Sequence, residues 1–393
     1  MPIRTPGHRV AILSGVLLPL GSISGGRSGA VAQSGSAPRS QRGGQGFKSP
    51  QLHQNDAVAR GLSRKVLRRL GSGVKIPNRE RRDGDMWVPE PAWQPVTGAG
   101  GSSTRGVWRA ERDGQRWIVK RLEPAETETG DVNRHSWWRR EAEVATSGIL
   151  NDSRGLVAST PISVEENDDG ITLWSLEVST TQIADDVLAR AYGRFSSQSA
   201  QDPGWFTRHM LRDRIAATED VGGISPLQES EMIDRSLLRT CGALWSERVA
   251  ILGALDQFPQ VLSHGDALPR NMLCQDGEDV IAVDWGQLGY NTVGADLATL
   301  SLYATKGLSE LIPPYCEGLR DSGESVNETT VRRATVQIAA LIAISRASRA
   351  VAAGADVDGY LGRLVHAEPI LNEAFNNLDG PETGEFVTAV SHG

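Results

Sequence analysis

The sequence predicts an α+β chain in two lobes, a small antiparallel sheet followed by a larger, mostly helical unit. Three observations carry that reading. Two strand-like runs, Val107 to Glu111 and Gln115 to Leu122, meet at Asp113-Gly114, a dipeptide that favours a tight hairpin. Residues 183–256 and 327–377 show mostly helical patterning, with breaks near Gln198–Gly204 and Gly222–Pro226. Between these helical stretches, two short apolar strands each run into an acid, Asp266 and Asp284.

At 393 residues the chain is long enough for a substantial core and two or three structural units. Its composition is that of an ordinary soluble globular protein. Cys241, Cys274 and Cys316 are odd in number and far apart, which argues against a disulfide scaffold and favours a reducing compartment. The seven histidines have no metal-binding spacing, so a histidine-built metal site is not expected.

Charge divides the chain unevenly. Residues 1–82 hold fifteen Lys or Arg against Asp56 and Glu80, a balance of +13. The remainder therefore carries −20 of the −7 total. Residues 1–85 are expected to form a disordered basic arm. The apolar run Val10 to Leu20, flanked by Arg4 and Arg9 and followed by Ala30-Val31-Ala32, has the parts of a secretory signal. The absence of acids through residue 54 equally suits an organelle transit peptide, a plain tail, or an untranslated stretch upstream of Met86. Asp56 to Leu70 has the pattern of a basic amphipathic helix with a solvated face. Residues 86–178 then make the small lobe, 179–380 the larger lobe, and 381–393 a tail.

In the small lobe, Val96 to Val107 contains Gly100, Gly101 and Ser102, whose backbone N–H groups suit an anion. Glycine-serine turns also occur in plain hairpins. In the second strand Lys120 shares a face with Ile118 and Leu122, placed to reach an anion or to snorkel to water. A helix is expected from about Arg134 to Leu150, with Trp138, Ala142, Ala145 and Ile149 as its apolar stripe. Glu141 borders that stripe, as a partner for Lys120 or as a surface charge beside Arg139 and Arg140. Ile171 to Val178 reads as a buried strand, the last before the chain crosses to the larger lobe.

The decisive pattern is Val261-Leu-Ser-His264-Gly265-Asp266, with Asn271 five residues on, then Val280-Ile-Ala-Val-Asp284-Trp-Gly and Asp296-Leu-Ala. Phosphoryl transfer from ATP needs a carboxylate to orient and deprotonate the acceptor, and oxygen donors to hold magnesium on the phosphates. Asp266 fits the first role; Asn271 and Asp284 fit the second. A lone Asp is more often a turn cap, but three such residues in this order are hard to assign to capping.

His264-Gly-Asp-x4-Asn271, Asp284-Trp and Asp296-Leu resemble the aminoglycoside phosphotransferase and choline kinase family, over residues 93–375 and most specifically over 261–298. The resemblance implies a two-lobed protein-kinase-like fold and an ATP- and magnesium-dependent transfer to a hydroxyl of a small molecule. It implies Asp266 as base, Asn271 and Asp284 as magnesium ligands, and Lys120, positioned by Glu141, on the nucleotide phosphates. His264 would support the catalytic loop and Asp296 would brace it from the next helix. The glycine segment departs from a clean Gly-x-Gly-x-x-Gly.

A catalytically silent nucleotide-binding regulator is the first alternative, although the base and both metal ligands are present. A protein kinase is the second. Only eleven residues separate Asp284 from Asp296, with no Ala-Pro-Glu anchor after them. A metal-dependent hydrolase would need a second nearby histidine. The acidic body favours a cationic acceptor such as an amino sugar, an aminoglycoside or choline. Dependence on ATP implies a cytoplasmic protein, with no nucleic-acid partner and no stable membrane insertion. Ala334 to Ala350 is expected as a core helix of the larger lobe, with Arg346 and Arg349 as surface or capping charges.

Overall fold

The computed structural model describes residues 87–97, 103–125, 130–159, 162–323 and 326–378. The expectations for the arm 1–85, for Gly100, Gly101 and Ser102, and for the tail 381–393 lie outside the described residues. The chain opens with β1 (Gln94–Pro95), β2 (Thr104–Arg112) and β3 (Gln115–Leu122), followed by α1 (Arg140–Ser147). Next come β4 (Leu156–Ala158), β5 (Ile162–Asn167) and β6 (Gly170–Leu176). Five strands make an antiparallel sheet in the order β1-β2-β3-β6-β5. The β2–β3 turn forms at Asp113 and Gly114, with φ of 53° and 71°, the positive values that match a tight turn to strand twist.

Period-two alternation divides β3 between two environments. Trp117 and Val119 enter an aromatic cluster with Trp174, against which Trp93 packs. Trp93 meets Trp174 edge to face at 5.3 Å, and the Arg112 guanidinium lies 4.2 Å from the Trp174 ring centre. Each such contact adds about 0.5–1.5 kcal/mol beyond burial. Leu122, on the opposite face with Lys120, packs with Ala142 of α1 and with Ile171 and Leu173 of β6. Helix α1 therefore covers the face that carries Lys120.

The helix is shorter than the apolar spacing suggested. Residues 134–139 form turns, and regular helix runs only over Arg140–Ser147. The cause is Arg140, which is fully buried. Its guanidinium donates to the carbonyls of Val132, Arg134, His135, Trp205 and Gly286. The first two lie in a loop that bends back toward it, which stops the helix from extending N-terminally.

The larger lobe begins with α2 (Asp185–Ser196), α3 (Met210–Glu219), α4 (Ser225–Gln228), α5 (Arg235–Ser246) and α6 (Arg248–Leu255). Then come β7 (Gln260–Ser263), a 3-10 turn at Pro269–Asn271, β8 (Met272–Asp276), β9 (Asp279–Ala282) and β10 (Gly289–Thr292). The chain finishes with α7 (Ala295–Ser301), α8 (Leu308–Leu319), α9 (Glu328–Ala353), α10 (Val357–His366) and α11 (Glu368–Asn376). Strands β7 and β10 pair antiparallel, and β8 and β9 form a hairpin. Strand β4, unanticipated in the sequence, pairs parallel with β9 and ties the segment after α1 to the larger lobe.

Helix α9 is the core helix that Ala334 to Ala350 predicted. Asn327 caps it by accepting from the N–H groups of Thr329 and Thr330. It is long and apolar enough to cross a membrane, yet 72% of its most apolar window is buried inside this protein. Helices α2 and α8 touch through backbone: a Cβ on Gly193 would sit 2.0 Å from the Tyr315 carbonyl oxygen, and one on Gly318 2.3 Å from that of Arg190.

Candidate active site

Lys120 on β3 reaches across two elements. Its Nζ donates to Glu141 Oε2 of α1 at 2.6 Å and to Asp284 Oδ1, just after β9, at 2.9 Å. Burial alone would lower the Lys120 pKa, but the Asp284 and Glu141 carboxylates override it and raise it, so the ammonium is kept. Beside Lys120, the Asp284 carboxyl falls below the ordinary aspartate range against the opposing effect of burial. Burial raises Glu141, with Lys120 opposing. Asp284 has φ 66°, a left-handed conformation that costs a non-glycine residue about 1–2 kcal/mol. The backbone bends there, and Trp285 is buried directly after it.

The loop after β7 holds Asp266 through a dense polar frame. Asp296 at the start of α7 accepts from Ser263 Oγ at 2.8 Å, from the His264 N–H at 2.8 Å and from the Gly265 N–H at 3.0 Å. Burial lifts this carboxyl above the ordinary aspartate value, while these hydrogen bonds oppose the rise. His264 is fully buried. Its Nε2 lies 3.0 Å from the Val283 carbonyl, and its Nδ1 lies 3.3 Å from the Asp266 N–H. One ring nitrogen must donate and the other accept, which the neutral Nε2–H tautomer satisfies. The imidazole thus links the Asp266 loop to the strand end that precedes Asp284. Gly265 has φ 80°, and a Cβ there would sit 2.2 Å from the Gln287 carbonyl oxygen. Only glycine fits that turn.

Asn271, on the 3-10 turn, donates from Nδ2 to the Asp266 carbonyl at 2.8 Å and to Asp266 Oδ2 at 3.1 Å. Its Oδ1 is left as the ligand-capable atom. Two polar clusters result, Lys120 with Glu141 and Asp284, and His264 with Asp266, Asn271 and Asp296. The bond from His264 to the Val283 carbonyl links the second to the residue before Asp284.

Three further residues escaped the sequence reading. Arg140, expected among surface helix charges, is buried and bonds Gly286, two residues after Asp284. Arg214 of α3 approaches Asp266 Oδ1 at 3.6 Å and donates to Gln287 Oε1 at 2.7 Å. Arg346 of α9, expected as a surface or capping charge, is only 11% exposed and lies 3.8 Å from the same Asp266 oxygen. An α-helical period marks apolar faces, and a buried arginine breaks that period without announcing itself. The spacing of Arg346 and Arg349 within an otherwise apolar helix was the available signal.

A family model described as phosphotransferase enzyme family, APH, matches residues 96–329, more than half of the chain. The chain belongs to that family. It is a small-molecule phosphotransferase with a two-lobed protein-kinase-like fold, as the motif over 261–298 implied. Comparison with curated proteins returns no match. Among solved structures, a microcompartment-associated aminopropanol kinase is 11% identical, with a TM-score of 0.50, covering 73% of this chain and 92% of that one. The choline kinase LicA from Streptococcus pneumoniae is 14% identical, with a TM-score of 0.47, covering 72% and 93%. A choline/ethanolamine kinase family protein from Mesorhizobium loti is 18% identical, with a TM-score of 0.44, covering 74% and 89%. At these identities the likeness is one of fold.

Proposed function

We propose that this phosphotransferase moves the γ-phosphate of ATP to a hydroxyl of a small molecule, with Asp266 as the base. The observation that carries the reading is that Lys120, Glu141 and Asp284 meet from three elements, while Asn271 holds Asp266 in the turn whose His264 bonds the residue before Asp284. The same reading gives residues 86–178 the nucleotide and residues 179–380 the catalytic loop and the acceptor. A reaction that consumes ATP fits the cytoplasm.

The donor set suits magnesium: Asn271 Oδ1 and the Asp284 carboxylate are hard oxygen ligands, and Asp284 is held ionised by Lys120. Among the described residues no group of three or more His, Cys, Asp or Glu forms a cation cage. Two protein ligands then leave the remaining positions to phosphate oxygens and water. When bound, the ion neutralises charge on the phosphates.

The chain's own part is positioning and proton transfer. Lys120, fixed by Glu141, presents its ammonium to the α- and β-phosphates. Asp266, held at its amide by His264 and at its carboxylate by Asn271, accepts the proton of the acceptor hydroxyl as the oxygen attacks phosphorus. The test is ADP release by the full chain with ATP and magnesium over a panel of hydroxylated acceptors. Asp266→Ala is expected to lower turnover about 10²–10⁴-fold while nucleotide binding survives. Near-normal turnover in that variant would remove Asp266 from the role of base. ATP binding without turnover of any acceptor would favour a silent nucleotide-binding regulator.

A further inference from the structure

Asp266 has charged neighbours that the proposed mechanism does not use. Arg214 and Arg346 come from different helices, α3 and α9, and both approach Asp266 Oδ1, at 3.6 and 3.8 Å. Their side chains are 8% and 11% exposed, so neither is a solvated surface charge. Arg349, one turn further along α9, is half-buried beside Arg346 and donates to the Ser345 carbonyl at 3.4 Å. Among the described residues, Asp266 is the one carboxylate at ion-pair distance from any of these three arginines.

The arrangement is electrostatically incomplete. Burial together with the neighbouring Arg346 charge depresses Arg214 to about 10, and burial and Arg346 also lower Arg349. Like charges brought together out of water cost energy that a bound anion would relieve. Loop support accounts for Arg214, which bonds Gln287 Oε1 and the Gly265 carbonyl. It does not account for Arg346 and Arg349. Arg346 instead donates to Tyr303 Oη at 3.1 Å, and it lines a recess with Tyr303, Tyr360 and Arg363. Arg363 stacks over the Tyr303 and Tyr360 rings at 5.1 and 4.7 Å and is already paired with Asp356, Nη2 to Oδ2 at 3.4 Å. Among the described residues, the arginines here without a carboxylate of their own are therefore Arg346 and its neighbour Arg349. Guanidinium groups in such a setting are suited to a planar carboxylate or a phosphate.

We infer that the acceptor is an anionic hydroxy compound, carrying a carboxylate or a phosphate that Arg346 and Arg349 receive while its hydroxyl meets Asp266. The inference rests on the kinase reading above and assigns the substrate class of the same site. It runs opposite to the cationic acceptor that the acidic balance of the body suggested. Net charge describes the whole surface, whereas the field at the base is set by the nearest groups.

The experiment uses the full chain with ATP and magnesium and three sets of acceptors. These are the hydroxy acids gluconate and glycerate, the phosphate ester glucose 6-phosphate, and a neutral and cationic set of glucose, choline and kanamycin. An anionic acceptor is expected to show the highest kcat/KM, and which of the first two sets supplies it separates carboxylate from phosphate. Arg349→Gln is expected to raise KM for that acceptor about 10-fold or more, the scale of one charge-assisted contact, with kcat changed only a few-fold. Arg349→Lys keeps the charge but not the planar fork and should recover part of the loss, which a purely structural role would not predict. Faster turnover of choline, kanamycin or glucose overturns the inference, as does an unchanged KM in Arg349→Gln. If nothing is turned over, calorimetry on the same protein decides. Absence of ATP binding defeats the kinase reading itself. ATP binding with no binding of gluconate, glycerate or glucose 6-phosphate defeats the anionic acceptor alone.

Discussion

Lys120 shows how much one side chain can depend on context. In β3 it stands between Ile118 and Leu122, where strand alternation allows either a bridge to an anion or a snorkelling surface lysine. The contacts to Glu141 and Asp284 show a paired, largely buried ammonium rather than a snorkelling one. Lys120→Met would leave two carboxylates facing each other with no cation between them. The expected result is a fall in kcat/KM for ATP on the order of 10²-fold or more, measured by initial rates over a range of ATP concentrations. The three cysteines belong to the same scale. All are free, and burial pushes the Cys241 thiol up to about 12 and Cys316 to about 11. Neither should react with a thiol reagent at neutral pH until the protein is unfolded, which a labelling time course with and without urea would show.

At the scale of elements, two of the places where helices meet other parts of the chain are set by residues of opposite kinds. Arg140 joins α1 to the loops at 132–135, 205 and 286 by donating to five carbonyls. Arg140→Met would keep much of the volume and strand those acceptors. A loss on the order of 3 kcal/mol is expected in urea unfolding, together with weaker ATP turnover, because Gly286 follows Asp284 closely. Helices α2 and α8 meet by the absence of side chains. Gly193→Ala would drive a methyl group into the Tyr315 carbonyl. It should destabilise by about 1–3 kcal/mol, as read from urea midpoints. The hairpin at Asp113-Gly114, the strand around Lys120 and the helices of 183–256 were legible in the sequence because each rests on local spacing. The true start of α1 and the presence of β4 were not. The first depends on a buried guanidinium, the second on a parallel partner more than a hundred residues away.

For the whole molecule, the loop before α1 docks on the larger lobe through His135 and Asp213. The Asp213 carboxylate accepts from the His135 backbone N–H at 3.0 Å and meets its ring at 3.2 Å. Burial would raise the Asp213 carboxyl, but the His135 hydrogen bonds overcome it and hold the group below its ordinary value. A depressed carboxyl contributes stability that is present above the unfolded aspartate value, about 3.9, and is lost as pH falls through the lower folded value. Asp213→Asn should therefore flatten the acid limb of the stability curve between about pH 5 and pH 2 relative to the unaltered protein, as read from urea midpoints at each pH.

By itself the sequence determined the α+β class, the hairpin, the core helix of the larger lobe and the order His264, Asp266, Asn271, Asp284, Asp296 that marks the family. Those features are local: turn chemistry, periodicity and the spacing of acids at strand ends are written into consecutive residues. Only the tertiary structure brought Lys120 against Asp284, 164 positions later. Only it placed Arg214 and Arg346 beside Asp266. A charge in a sequence has no position. Its effect falls off with distance and grows with burial, so its meaning was decided by which other charges the fold placed within a few ångströms of it.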